Sequence, residues 1–360
     1  MKRLKDFQLV KLKRHALTLS GKSLDEKLMQ KALEAAWAYQ GLTFPNPAVG
    51  AVVSYENGEI IAVAAHQKAG EPHAEVLALK AAYTLLTHDR RITVITDAAR
   101  LHEFLSKHHN GIFHNLTLHV TLEPCNHHGR TPPCSALIDA VGIKRVVVGS
   151  YDESNQAKGG GAFLTKRGVN VSFGIQKKEC DALLTPFTCK ENNQPFVFFK
   201  LAISLNGVAT GGIITSEESR RMVHRLRDRC DLLVIGGNTV RIDRPTLDAR
   251  LCNGRAPNVL IYSKKSEFDT TIPLFLVPNR TVVVSDSLNC LKESSMVMVE
   301  GGQSLLDALK NDILWYLIFQ SPNLKEGKSI VLPEGLEPVF SQKIGEDTMC
   351  WYRKNNIQNS

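Results

Sequence analysis

Four residues from three separate parts of the chain constrain its fold more than any other feature. His73 and Glu75 stand two apart in Pro72-His73-Ala74-Glu75, and two Pro-Cys pairs follow, Pro124-Cys125 and Pro133-Cys134. His73 and Glu75 fall at the expected start of a helix, where free N–H groups and the helix dipole favour anionic partners. Cys125 follows an expected strand and Cys134 opens another helix, a setting that stabilises thiolates. One imidazole and two thiolates make a three-ligand zinc site with its fourth position open to water, the catalytic arrangement. Glu75 is then the group that takes a proton from that water and passes protons to a substrate. A purely structural site would need a fourth ligand, which His127 or His128 could supply. Each residue alone reads more simply as packed or solvated; the combination, in this order, points to the metal.

Around this constellation, hydropathy alternates between helical and strand patterns. Leu28, Leu33, Ala36 and Trp37 recur at helical spacing within 24–40, behind Ser23 as N-cap. Two short apolar runs flank Glu56-Asn57-Gly58, a hairpin signal. Helical periodicity returns after Pro72. Residues 87–115, rich in His, Arg and Asp, read as an insertion carrying one more helix. Strands are expected at 116–122 and 145–148, and a helix over 135–140. Lys158-Gly159-Gly160-Gly161 reads as a flexible turn before a last helix and a strand ending at Phe173.

The polar, proline-flanked segment 186–195 is read as a linker. A second alternating series follows, with strands at 196–203, 232–236, 258–262, 281–284 and Met296–Glu300, and helices at 216–229 and 302–310. The expected organisation is a basic arm over 1–23, a metal-binding domain over 24–185, the linker, and a second α/β domain over 196–360. The 360 residues suit two cores better than one.

Lys and Arg number 44 against 36 Asp and Glu, a surplus of +8 that suits anionic small molecules. The surplus is spread along the chain and no aromatic stacking series accompanies it, which argues against nucleic acid. No apolar run is long enough to span a bilayer, and the basic start lacks the apolar core of a secretory signal. The eight cysteines show no disulfide-type spacing, so reduced thiols in a cytoplasm are expected.

His-x-Glu followed by Pro-Cys and a second cysteine is the donor pattern of zinc-dependent base deaminases. Here eight residues rather than two separate the cysteines. The stretch from Thr121 to Cys134, with Gly129-Arg130-Thr131-Pro132-Pro133 inside it, resembles the bifunctional riboflavin-biosynthesis deaminase/reductase family. Asn46-Pro47-x-Val49-Gly50-Ala51-Val52 and Ala65-His66 fit the same family, so the resemblance covers most of 24–150. It implies a cytidine-deaminase-like three-layer α/β/α domain in which Asn46, His66 and His127 contact the pyrimidine or its ribose phosphate. Asn46 fits a turn former equally well, and His127 and His128 fit solvated loop residues.

The second half has glycine-bearing turns after strands but no Gly-x-Gly-x-x-Gly, so on physics alone it is a phosphate-binding α/β domain of unspecified ligand. Lys200-Leu201-Ala202-x-Ser204-Leu205-x-Gly207, Gly236-Gly237-Asn238-Thr239-Val240, Asp243-Arg244-Pro245-Thr246-Leu247 and Val299-Glu300-Gly301-Gly302 are similar, in order and content, to that family's reductase half. The likeness implies a dihydrofolate-reductase-like α/β domain that uses NADPH. It places Ala202, Thr239, Asp243, Ser263 and the run Gly302, Gln303, Ser304 to Ala308 at the cofactor. Arg227, Leu247, Arg250 and Glu300 are placed at the substrate. Guanidinium forks suit phosphate oxygens, although either arginine also fits a surface charge.

The chain departs from the family at Asn206, at the shortened Thr210–Ile213 stretch, and after Phe319, where QSPNLKEGKSIVLPEG replaces a glycine-rich region. The YDESNQAKGGG loop keeps only fragments of the family's phosphate contacts, and the interval between Glu75 and Pro124 is long. The resemblance implies zinc-dependent hydrolytic deamination of 2,5-diamino-6-(ribosylamino)-4(3H)-pyrimidinone 5′-phosphate. NADPH-dependent reduction of the ribosyl group to a ribityl chain would follow, in a cytoplasmic homo-oligomer with no nucleic-acid or membrane partner. Two other readings are a deaminase carrying an inactive reductase-like half and, more remotely, a nucleic-acid base deaminase.

Overall fold

The computed structural model describes residues 22–129, 131–154 and 157–355; all but the last two residues of the basic arm lie outside the described residues. The first half comprises α1 (Leu24–Trp37), β1 (Gly50–Tyr55), β2 (Ile60–Ala65), α2 (Ala74–Thr87), α3 (Ala98–His108) and β3 (Leu116–Leu122). It continues with α4 (Cys134–Val141), β4 (Arg145–Ser150), α5 (Gly160–Lys166), β5 (Asn170–Phe173) and α6 (Lys177–Glu191). Its five strands run in the order β2-β1-β3-β4-β5. β1 is antiparallel to β2 and β3, whereas β3, β4 and β5 are parallel.

Strand alternation decides which helices lie on which face. Val52 and Val147 face the layer of α1 and α6, while Val53, Leu118, Val120, Val146 and Val148 face α2, α3 and α4. The expected three-layer architecture results. Ser23 caps α1 in a capping box, its Oγ accepting from Glu26 N at 3.3 Å while Glu26 accepts from Ser23 N at 2.6 Å. α1 rests directly on β1, because a Cβ on Gly50 would come within 1.9 Å of the Ala32 carbonyl oxygen. Asp25 then joins α1 to the sheet, accepting from Arg145 Nη2 at 2.6 Å and lying 3.0 Å from His119 Nε2. The insertion packs α3 against α2, and Lys80 Nζ donates to the Ile95 carbonyl at 2.6 Å.

The second half comprises β6 (Phe196–Ile203), α7 (Glu217–Arg229), β7 (Leu232–Gly236), α8 (Gly237–Asp243), β8 (Asn258–Tyr262) and β9 (Val282–Ser285). β10 (Met296–Glu300), α9 (Gln303–Leu309), β11 (Trp315–Gln320), β12 (Leu336–Ile344) and β13 (Asp347–Lys354) complete it. Its eight strands run β12-β13-β11-β6-β10-β7-β8-β9, parallel from β11 to β9 with an antiparallel hairpin at the other edge. Asp347 fastens that hairpin to α7 by accepting from the backbone N and the Oγ of Ser216 at 2.8 and 2.7 Å.

The structure corrects three sequence expectations. The segment read as a linker is helical through Glu191: α6 carries Pro186 within it and buries Cys180, Leu183 and Leu184, leaving only 192–195 as a connection. The Gly159–Gly161 run is a helix start rather than a loose turn, since Gly160 and Gly161 open α5. Glycine is needed there because a Cβ on Gly160 would lie 1.8 Å from the Pro124 carbonyl oxygen. α8 and the β12–β13 hairpin complete the second half where no element was expected. In the hairpin, Pro338 sits beside a bulge on an edge strand, where a missing N–H is tolerated.

The two halves share one apolar core. Leu28, Met29, Leu33 and Trp37 of α1 belong to the same buried cluster as Phe196, Phe198, Leu317 and Trp351. The Trp37 ring stacks on Phe340 at 5.8 Å and meets Trp315 and Trp351 at 6.1 and 6.3 Å. Trp37→Ala should therefore cost about 3–5 kcal/mol, read as a lower urea midpoint of unfolding. A loss under about 1 kcal/mol would show that the halves do not depend on this contact.

Candidate metal centre and a second cavity

His73 is the N-cap of α2, and Glu75 lies in that helix's first turn. Cys134 opens α4, and Cys125 follows β3 so closely that Ser135 N, in the first turn of α4, donates to the Cys125 carbonyl at 3.2 Å. The ends of two helices and one strand thus deliver three donors to one point. His73 Nδ1 lies 3.6 Å from Cys125 Sγ and 3.4 Å from Cys134 Sγ. All three donor atoms fall within 4.8 Å of one another, and no other such group occurs among the described residues. Nitrogen and sulfur donors at this spacing fit zinc, and the set has three members, so a coordination position remains for a reactant.

The electrostatics fit the same reading. Cys125 is pulled down to about 4, first by its hydrogen bond with Cys134 and then, against burial, by His73. Cys134 moves the opposite way because it holds the proton the two sulfurs share. Burial opposes a charged His73 imidazole, yet its contacts with Cys125 raise it overall. Burial raises the Glu75 carboxyl to about 7, poised to gain or lose a proton near neutrality.

A cavity of about 380 Å³ opens onto this cluster. The expected contacts Asn46, His66 and His127 all border it. His66 Nδ1 donates to the Pro72 carbonyl at 3.1 Å, and its Nε2 accepts from Asn46 Nδ2 at 3.2 Å. Burial, with His73 nearby, lowers His66 to about 4, so the neutral ring that this pattern requires is the stable one. The amide oxygen of Asn46 is left for a ligand. His127 Nδ1 is buried without a partner among the described residues.

Sequence reasoning assigned no role to Glu123, Asp152 or Ser154, nor to Phe187, Lys190 and Glu191, which border the same cavity. Glu123 accepts from Gly161 N at 2.9 Å and from Asp152 N at 3.2 Å, so it joins the start of α5 to the end of β4 around the cavity. Its place directly before Pro124-Cys125 was the available signal. The three α6 residues fall in the segment read as a linker.

In the second half, a smaller cavity of about 170 Å³ lies where β7, β8 and β10 end and α8 and α9 begin. Crevices outside the carboxyl ends of parallel strands are where such sheets bind ligands. Thr239, Gly302, Gln303, Ser304 and Ala308 border it, as expected, together with Gly236, Gly237 and Tyr262. Ser263 packs against Gly237, where a Cβ would come within 2.6 Å of its Oγ. Ala202 on β6 and Asp243 at the end of α8 are not among the bordering residues. Glycines at both strand ends let a dinucleotide backbone come close, so the site fits a nicotinamide cofactor.

Of the expected substrate contacts, Arg227 and Glu300 meet. The Arg227 fork donates to Glu300 at 2.9 and 3.1 Å, and Lys200 Nζ donates to the same carboxylate at 3.2 Å. Arg227 thus lies in a buried ion cluster, whereas Arg250 is exposed and donates to Asp248 at 2.8 Å. Leu247 adopts a left-handed φ of 56°, held by Arg280 donating to its carbonyl at 2.8 Å. The replaced segment after Phe319 folds back on the shortened loop. Asn206 accepts from Lys325 N at 3.1 Å, Lys325 Nζ donates to the Gly211 carbonyl at 2.6 Å, and Val331 N donates to Gln303 at 2.7 Å.

Comparison with known proteins gives a consistent result. A description of the cytidine and deoxycytidylate deaminase zinc-binding region matches residues 22–150, and one of the RibD C-terminal domain matches 195–315. The chain is 35% identical to the riboflavin biosynthesis protein RibD of Actinobacillus pleuropneumoniae, across 91% of this chain and 95% of that protein. A 37% match to the Synechocystis RibD spans only 62% of this chain and 55% of that protein. The crystal structure of a diaminohydroxyphosphoribosylaminopyrimidine deaminase/5-amino-6-(5-phosphoribosylamino)uracil reductase from Thermotoga maritima superposes with a TM-score of 0.62 at 27% identity, covering 92% and 99% of the two chains.

Two outcomes follow from the geometry. Cys134→Ala should reduce zinc, measured by plasma emission on identically purified protein, from about one per chain to below about a tenth. Unchanged zinc would remove Cys134 from the ligand set. Burial would favour a neutral Glu300, but Arg227 and Lys200 hold its carboxyl down to about 2, below its ordinary value of 4.5. Its stabilising contribution is complete above 4.5 and is lost as the pH falls toward 2. In urea unfolding, the stability gap between wild type and Glu300→Gln should narrow across that window; a constant gap would contradict the ion cluster.

Proposed function

The chain belongs to the RibD family of riboflavin-biosynthesis deaminase/reductases, and from that membership we propose that its two cavities act in succession on one phosphorylated pyrimidine. Hydrolytic deamination of the diaminopyrimidinone ribosyl phosphate belongs to the His73–Cys125–Cys134 cavity. Reduction of the ribosyl group to ribityl belongs to the cavity between α8 and α9. The observation that carries the reading is the meeting of three zinc-type donors and a buried, proton-exchanging Glu75 at one cavity of about 380 Å³.

His73, Cys125 and Cys134 would hold zinc, which when bound would supply Lewis acidity to a water near neutral pH. Glu75 takes a proton at its carboxylate as water attacks, then delivers it to the departing amino group, which leaves as ammonia. A carboxyl near 7 suits both halves of that exchange. Asn46 and His66, fixed to each other and to Pro72, orient the pyrimidine beside Glu75.

In the second cavity, residues around Gly236–Thr239 and Gly302–Ser304 would hold NADPH, which when bound would supply a hydride. The residues there bind and position rather than move protons. Thr239, Gln303 and Ser304 offer hydrogen bonds to the cofactor. Arg227, Glu300 and Lys200 brace the strand ends, and Arg250, the more open of the two guanidinium forks, meets the substrate phosphate. A homo-oligomer with small-molecule partners, in the cytoplasm, completes the reading. All eight cysteines are unbridged, which supports a reducing compartment, and no described helix is long and apolar enough to cross a membrane.

Glu75→Gln should lower ammonia release by a factor of at least about 100 while zinc content holds. Near-normal turnover would remove Glu75 from the proton path. Saturable NADPH binding, followed by nicotinamide fluorescence, is expected of the same protein. Its absence would favour a deaminase with an inactive second half, a reading motivated by the shortened Thr210–Ile213 loop.

A further inference from the structure

We infer that Arg280 is a positioning residue of the second site: its guanidinium fork holds Leu247 in a left-handed turn and so fixes the loop that presents Arg250 to the reductase substrate. The inference rests on the reductase reading above. A φ of 56° is one that glycine, asparagine or aspartate adopts readily and leucine does not, because the leucine Cβ crowds the neighbouring carbonyl. Such an outlier persists only where its surroundings over-determine it. Here Arg280, just ahead of β9, commits four of its five N–H donors to backbone carbonyls. Nη1 donates to Leu247 at 2.8 Å, Nη2 to Thr246 at 2.6 Å, and Nε and Nη2 to Leu274 at 3.1 and 2.5 Å. The fork thus ties two successive carbonyls of the turn to a third in the 273–275 segment, and Leu247 and Leu274 lie in the same buried cluster.

The turn passes that constraint to the residues after it. The Asp248 carbonyl accepts from Arg227 Nη1 at 3.2 Å, the Asp248 carboxylate accepts from Arg250 Nη1 at 2.8 Å, and Leu251 N donates to His224 Nδ1 at 3.4 Å. Arg227 in turn holds Glu300, which directly precedes Gly301 and Gly302, and Gly302 borders the second cavity. The loop therefore stands beside the cofactor cavity with each joint bonded, and the strained residue is the joint that Arg280 secures. Burial lowers the Arg280 guanidinium to about 10, with Asp248 acting the other way, so it stays charged at neutral pH. Without the fork, Leu247 relaxes toward negative φ, and the change in backbone direction carries Asp248 and Arg250 out of place. A lysine does not substitute, since one ammonium nitrogen cannot span three carbonyls.

The experiment measures NADPH-dependent reduction of 5-amino-6-(5-phosphoribosylamino)uracil, added directly so that the zinc site is bypassed. Full-length wild type is compared with Arg280→Ala and Arg280→Lys, and NADPH binding is titrated on the same preparations. The expected result is a KM for the ribosyl phosphate that rises about tenfold in both variants. Their kcat and their Kd for NADPH should stay within about twofold of wild type. Guanidinium chloride at a non-denaturing concentration should bring the KM of Arg280→Ala back toward wild type, where sodium chloride at the same concentration does not. If Arg280→Ala no longer binds NADPH, Arg280→Lys, which keeps the charge and most of the bulk, decides the matter by the same split. An unchanged KM in Arg280→Lys, or a loss of NADPH affinity as large as the loss in KM, would overturn the assignment, because a role confined to packing weakens both together. No reduction by the wild type would instead overturn the reductase reading on which it rests.

Discussion

Two sulfurs and a ring nitrogen from distant parts of the chain must be gathered within 4.8 Å of one another, largely shut off from water, to hold one zinc ion. Much of the first half follows from that requirement. The donors come from residues 73, 125 and 134, so the fold must bring the N-termini of α2 and α4 to the carboxyl end of β3. The sheet order does so by placing β3 at the centre, between antiparallel β1 and parallel β4. The close approach of Gly160 to the Pro124 carbonyl then presses α5 onto the strand end that carries Cys125. Burial at this point also raises Glu75, so the packing that gathers the donors sets the proton affinity of the group beside them.

The second half is organised by a different electrostatic knot. Glu300, at the end of β10, lies between Arg227 of α7 and Lys200, its register partner on the neighbouring parallel strand β6. A buried carboxylate with two cations satisfies its own charge, and removing one member would leave the others exposed to the cost of burial. The cluster therefore ties α7 to the adjacent strands β6 and β10. The two halves are not independent beads: Trp37 of α1 lies among Trp315, Phe340 and Trp351, and α6 packs against β4 of one sheet and β6 of the other.

The sequence was most readable where local pattern and burial agree. The N-cap at Ser23, the Asn57-Gly58 hairpin and the strand at Leu116–Leu122 emerge as expected because local residue chemistry and periodicity specify them. The zinc donors were readable because few other roles require histidine and cysteine in that order. Elsewhere tertiary contacts override local signals. Pro186 and the polar run after it read as a break, yet Cys180, Leu183 and Leu184 bury one face of α6 and keep it helical. β12 is a partly exposed edge strand with a proline and a bulge, so it lacks the clean alternation of a core strand. Arg227 and Glu300 are both expected at the substrate from the sequence, and only the fold shows that they meet each other across 73 positions.

The central claim is that one chain carries two working sites in succession. The most direct measurement is the product mass after incubating zinc-loaded protein with the diaminopyrimidinone ribosyl phosphate and NADPH. The account predicts a product that has exchanged its amino group for oxygen and gained two hydrogens. Recovery of the substrate unchanged would contradict it at the zinc site, and a deaminated product without added hydrogen would contradict it at the second cavity.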